Sequence, residues 1–253
     1  MAEERATNEE PGLGGGAEAL TVSPRRAVRR ARGAEVVFGA FLCFYIVLAV
    51  LAHRYAYFEW DLSAALRIQS ITFPLFKTLM LWVSVLGNGW VPFVLVTGTG
   101  FALAAARFRT EAAVCMVGVA AGALINRLLK MLSDRPRPDE SLVQIFATVK
   151  HESFPSGHVV LFVEFFGLLF FFSYVLLKRG PLRRLALFTT GALIVLIGVS
   201  RVYLGAHWPS DVAGAYLAGG VWLMVMIEVY RRMKEGEGPG ARGRESGREQ
   251  ARE

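Results

Sequence analysis

FPSGHVVLFVEFFGLLFFFSYVLLKRGP, residues 154–181, decides the fold. Its middle, 157–177, is a near-continuous apolar run carrying six phenylalanines. A run of about 20 apolar residues is what a helix needs to cross a bilayer. One end carries Pro155-Ser156-Gly157-His158; the other is a turn, 178–184, with four basic residues and Gly-Pro. Basic turns stay on the cytoplasmic side of a membrane. The stretch therefore predicts a spanning helix with its inner end at 178–184 and its outer end at His158.

Working outward, five more apolar runs read as spans: 35–51, 90–106, 111–132, 185–203 and 209–230. Arg25, Arg26, Arg29, Arg30 and Arg32 precede the first, so the N-terminus is expected in the cytoplasm. Six spans then put both termini, the turn at 107–110 and the turn at 178–184 inside. Residues 53–88 are mixed. Tyr55, Tyr57, Phe58 and Trp60 suit the headgroup zone. A short helix over 61–71, with Asp61 as a first-turn acid, lies on the membrane. The segment 73–86 is apolar but too short to span, and reads as an interfacial or partly inserted helix ending at Gly87-Asn88. The expected fold is an all-α membrane protein: six transmembrane helices, with a short interfacial helical segment between the first and second. Residues 1–33 and 233–253 read as disordered cytoplasmic tails around a domain at 34–232.

Composition agrees. The chain of 253 residues is 54% hydrophobic, above the roughly 45–50% of soluble domains. Its net charge is +7 and its pI about 9.7. The Lys and Arg residues cluster beside apolar runs, so membrane topology accounts for them and nucleic-acid binding does not. Cys43 and Cys115 form no disulfide framework and no zinc spacing. The N-terminus lacks the pattern of a secretory signal.

Three polar islands end on the predicted outer side: KMLSDRPRP (130–138), FPSGH (154–158) and SRVYLGAHWPSD (200–211). Lys130 offers a point charge and Arg137 a planar fork, both suited to phosphate. Pro136 and Pro138 stop the preceding helix. Ser156 and Gly157 open a helix whose N-terminal amides attract an anion. Arg201 adds a cation. His207 and Asp211, four apart, suit a carboxylate that orients an imidazole and leaves its other nitrogen free to attack. Ionisable groups at a membrane edge are costly and point to function.

Lys130-x6-Arg137-Pro138, Pro155-Ser156-Gly157-His158 and Ser200-Arg201-x5-His207-x3-Asp211 together resemble the three-part signature of the type 2 phosphatidic acid phosphatase (PAP2) superfamily, in its integral-membrane branch. The resemblance implies a lipid phosphatase with His207 as nucleophile, Asp211 orienting it, and His158 as acid and then base. It implies that Lys130, Arg137, Arg201, Ser156 and Gly157 hold the phosphate. It implies no metal and no cofactor, the cations stabilising the charge. The implied substrate is a membrane lipid phosphate: undecaprenyl diphosphate, phosphatidic acid, diacylglycerol pyrophosphate or phosphatidylglycerol phosphate. The alternative is a catalytically silent protein that binds lipid phosphate. Arg135, a further cation in the loop, reads as peripheral.

Overall fold

The computed structural model describes residues 24–147 and 152–236. Every regular element among them is an α-helix: α1 (Pro24–Arg54), α2 (Glu59–Gln69), α3 (Pro74–Val85), α4 (Val91–Ala105), α5 (Arg109–Met131), α6 (Gly157–Leu176), α7 (Pro181–Tyr203) and α8 (Pro209–Gly236). Five stretches are long and apolar enough to cross a membrane: 33–54 of α1, and α5, α6, α7 and α8. The expected span 90–106 is α4, apolar but only 15 residues long. Helices α2 and α3 are bent by 119° at their junction and together count as a broken span or a re-entrant element. This is the segment expected to lie at the interface.

Helix α1 begins at Pro24, so residues 24–33, read as tail, are helical. The physical reason is that a hydropathy window ends where the arginines begin, whereas arginine and alanine are good helix formers and Pro24 is tolerated in a first turn. Helix α8 likewise continues past 232 to Gly236. The remaining tail residues, 1–23 and 237–253, lie outside the described residues.

Helix α6 is the central element. Over half of its apolar window (56%) is buried, against at most 33% for the other spans. Val159, Phe162, Phe165, Phe166 and Leu168 supply its core face. Small residues let neighbours approach it, as expected where no hydrophobic force acts between helices in lipid. A Cβ at Gly122 of α5 would run into the Glu164 carboxyl, and one at Gly219 of α8 would press on Val163. Outward-facing Phe44, Leu124 and Phe188 are exposed, as lipid-facing side chains should be. Cys115 is buried and Cys43 is exposed; both are free thiols.

The helix ends position the site. The C-terminus of α5, the N-terminus of α6, the C-terminus of α7 and the N-terminus of α8 meet at one end of the bundle. Gly205 follows α7 with φ +66, the left-handed conformation that ends helices. It turns the chain back so that the amides of Ala206 and His207 donate to the carbonyl of Arg201, at 3.1 and 3.2 Å. A Cβ at Gly205 would collide with the carbonyl of Gln144.

Candidate active site

Asp211 is the third residue of α8, and its carboxylate turns back on its own helix. Oδ2 accepts from the Trp208 amide at 2.9 Å. The same oxygen accepts from the Ser153 hydroxyl. Oδ1 takes the Arg135 guanidinium at 2.6 Å. His207 Nδ1 lies 3.5 Å from Oδ2 and 3.4 Å from Ser153 Oγ. Nδ1 thus faces the carboxylate, and Nε2 is the nitrogen turned to the cations, 3.1 Å from Arg137 Nη1.

Arg137, Arg201 and Lys130 are the charges gathered near His207. Arg137 is steadied by the carbonyls of Ala206 and Glu152. Lys130 Nζ donates to the Glu152 carbonyl at 2.8 Å. Arg201 is 1% exposed; its Nη1 donates to Ser84 Oγ at 2.6 Å, and its Nε has no partner among the described residues. Ser156 precedes α6, but its hydroxyl makes no cap; its buried Oγ also finds no partner. The Ser156 amide reaches the Asp211 carbonyl at 3.3 Å, tying the second island to the third. His158 stands in the first turn of α6 near the cations Arg201, Arg137 and Lys130 and the imidazole of His207. Burial, and then Arg137, Arg201 and Lys130, hold the His207 pKa well below its usual range. A neutral imidazole is the form that can attack.

Arg135 is not peripheral, and this corrects the expectation. It is 1% exposed and ties two carboxylates together: Asp211 at 2.6 Å and Asp61 at 3.0 Å. Its Nε donates to the Ala56 carbonyl, and its guanidinium lies 5.2 Å from the centre of the Phe58 ring. Asp61 sits in α2 as Asp211 sits in α8. It is the third residue of its helix and accepts the Phe58 amide at 3.1 Å. It also accepts from the amide and hydroxyl of Ser210, at 2.8 and 2.6 Å, and so caps α8.

The bent pair α2–α3 and the turn after it thus touch all three islands. Besides Asp61, the Met80 carbonyl accepts from Ser200, Ser84 from Arg201, and Asn88 Oδ1 lies 2.7 Å from His158 Nε2. Tyr57 stacks on Trp208 at 4.9 Å, so this ring of the expected headgroup cluster instead backs the site. Ser153, missed by sequence reasoning, had one signal: a hydroxyl immediately before the second island. Among the described residues no three His, Cys, Asp or Glu side chains group as metal ligands.

Fold and site together define a class: a helical membrane protein with a basic, histidine-centred cluster at one end of its bundle. Residues 111–234 match the model of the PAP2 superfamily. The chain is 28% identical over 185 residues to phosphatidylglycerophosphatase B of Bacillus subtilis, covering 70% of this chain and 86% of that one. It is 34% identical over 116 residues to a lipid A 1-phosphatase of Rhizobium etli, covering 43% and 46%. Its fold is similar to the crystal structure of a transmembrane PAP2-type phosphatidylglycerolphosphate phosphatase from Bacillus subtilis. That match has a TM-score of 0.68 at 23% identity, over 77% of this chain and 96% of that one.

Proposed function

We propose that this chain is an integral-membrane lipid phosphatase that cleaves a lipid phosphomonoester or diphosphate through a phosphohistidine at His207. The phosphate lies among Lys130, Arg137, Arg201, the Ser156 hydroxyl and the Gly157 amide. His207 Nε2 attacks phosphorus while Asp211 holds Nδ1, and His158 protonates the departing oxygen. Water, deprotonated by His158, then releases phosphate. The cations stabilise the charge that builds on the phosphoryl oxygens, and need no reorganisation because burial has already fixed them.

One observation carries this reading. Among the described residues, Arg201 Nε and Ser156 Oγ are buried without partners, close to a buried His207 whose pKa is held well below its usual range. Unsatisfied buried polar groups are rare and cost about 1–3 kcal/mol each. A phosphate would satisfy both. The substrate is a membrane lipid, because the pocket is built at the ends of spanning helices. Phosphatidylglycerol phosphate, phosphatidic acid, diacylglycerol pyrophosphate and undecaprenyl diphosphate are the candidates, the first favoured by the name of the 28% identical relative. The basic turns at 107–109 and 178–184 lie at the opposite helix ends from the site. The site therefore faces the extracytoplasmic side of the plasma membrane, with both termini inside.

The test is phosphate release by purified protein in detergent and EDTA, against those four lipids and a soluble ester. Release from at least one lipid, lost by about 10³-fold or more in His207→Ala, is expected. Undiminished release by that variant removes the nucleophile. Lipid-phosphate binding without release would mean a catalytically silent protein.

A further inference from the structure

The α3–α4 turn, Gly87-Asn88-Gly89, closes on His158. Asn88 Oδ1 lies 2.7 Å from His158 Nε2. A Cβ at Gly87 would run into the Cδ2 edge of the same ring, so this turn admits the imidazole only because residue 87 has no side chain. Gly89 supplies the left-handed conformation, φ +54, that the turn requires. None of these residues belongs to a phosphate-holding island, and all lie outside the matched family region, 111–234.

The chemistry of the contact fixes a proton. An amide oxygen only accepts, so the nitrogen facing it carries hydrogen. The cations around His158, namely Arg201, Arg137 and Lys130, are donors and cannot replace this acceptor. Among the described residues, Asn88 is the hydrogen-bond partner His158 has. We infer that Asn88 is a positioning residue: it holds His158 in the Nε2–H form and leaves Nδ1 as the nitrogen that gives and takes the reacting proton.

This rests on the phosphatase reading above, and it accounts for both halves of the reaction. In the first, the P–O bond to the lipid breaks as the P–N bond to His207 forms. The leaving oxygen keeps the electron pair and takes the proton from Nδ1 of the imidazolium. His158 is then neutral, with hydrogen retained on Nε2 by Asn88 and a lone pair on Nδ1. In the second, that lone pair takes a proton from water as the water oxygen bonds phosphorus and the P–N bond breaks. The imidazolium is restored. Without Asn88 the neutral ring divides between two tautomers and is free to turn.

The experiment compares kcat/KM for a p-nitrophenyl phosphate and an alkyl phosphate in wild type, Asn88→Leu, Asn88→Ala and Asn88→Asp. A nitrophenolate leaves without a proton, whereas an alkoxide needs one. For the leucine and alanine variants, kcat/KM on the alkyl ester should fall about 10²-fold, the low end of general acid catalysis. On the aryl ester it should change only a few-fold. Asn88→Asp, which keeps an acceptor oxygen, should restore the alkyl reaction to within about tenfold of wild type. Equal losses on both esters with no rescue by aspartate would overturn the inference and leave Asn88 a packing residue. Wild type inactive on every ester and lipid would instead refute the phosphatase reading, and the inference with it.

Discussion

Replacing Arg135 by methionine probes the element that organises the site from behind. The guanidinium is fully buried between Asp61 and Asp211, at 3.0 and 2.6 Å. Methionine fills much of its volume but leaves two carboxylates facing each other without a cation. Removing one partner of a buried pair costs about 3–5 kcal/mol, because the charge left behind is uncompensated. For a domain of this size that corresponds to a fall on the order of 10 °C in Tm. Asp211 would then take up a proton and lose its hold on His207 Nδ1, lowering kcat about 10²-fold or more, as expected for a triad whose imidazole is no longer oriented. Asp61→Asn should be milder, since Arg135 keeps Asp211 and an amide oxygen can still cap Ser210. Adding Asp61→Asn to Arg135→Met should recover part of the stability by removing one stranded charge. The assays are thermal unfolding in detergent and phosphate release on the same preparations. Wild-type Tm and turnover in Arg135→Met, or strictly additive losses in the double variant, would refute the reasoning.

Two further outcomes follow from the same geometry. Ser153→Ala removes a donor to Asp211 Oδ2 and a neighbour of His207 Nδ1; kcat should fall about tenfold, one lost hydrogen bond's worth, with KM little changed, and an unaltered kcat would dismiss Ser153 from the relay. The His207 pKa is depressed in the folded protein but near 6.5 in the unfolded chain. Below about pH 6.5 the unfolded state therefore binds a proton that the folded state refuses. The stabilising share of neutral His207 is present above that pH and is lost as pH falls towards the folded value. Between pH 7 and 5, wild-type Tm should drop more than that of His207→Gln; parallel curves would contradict the assignment.

What the sequence made legible and what it hid have separate physical causes. The three islands could be read because each packs several polar side chains suited to an anion into a few residues at a helix end, where spacing and composition coincide. The long apolar runs could be read because lipid demands them. The contribution of residues 53–88 could not. Asp61 reaches Ser210 across 149 positions, Ser84 reaches Arg201 across 117 and Asn88 reaches His158 across 70. Such pairs leave no local pattern. Asp61 carried only the signature of a first-turn acid, which many helices show, and Arg135 looked like one more loop cation beside Arg137. Only burial separates them: Arg135 is sealed against carboxylates, whereas Arg137 borders His207. Helix α4, at 15 residues, and the early start of α1 at Pro24 show the limit of hydropathy windows, which measure lipid contact rather than helix length.

Trapping the covalent intermediate tests the central claim most directly. Wild type mixed with a labelled phosphate ester and quenched within a turnover should carry one phosphoryl group, stable in alkali and lost in acid, mapping by mass spectrometry to His207. It should accumulate in His158→Ala when an aryl phosphate is supplied, because formation then needs no acid while hydrolysis still needs the base. Label on another residue, or turnover with no trapped phosphoenzyme in either protein, would contradict the account.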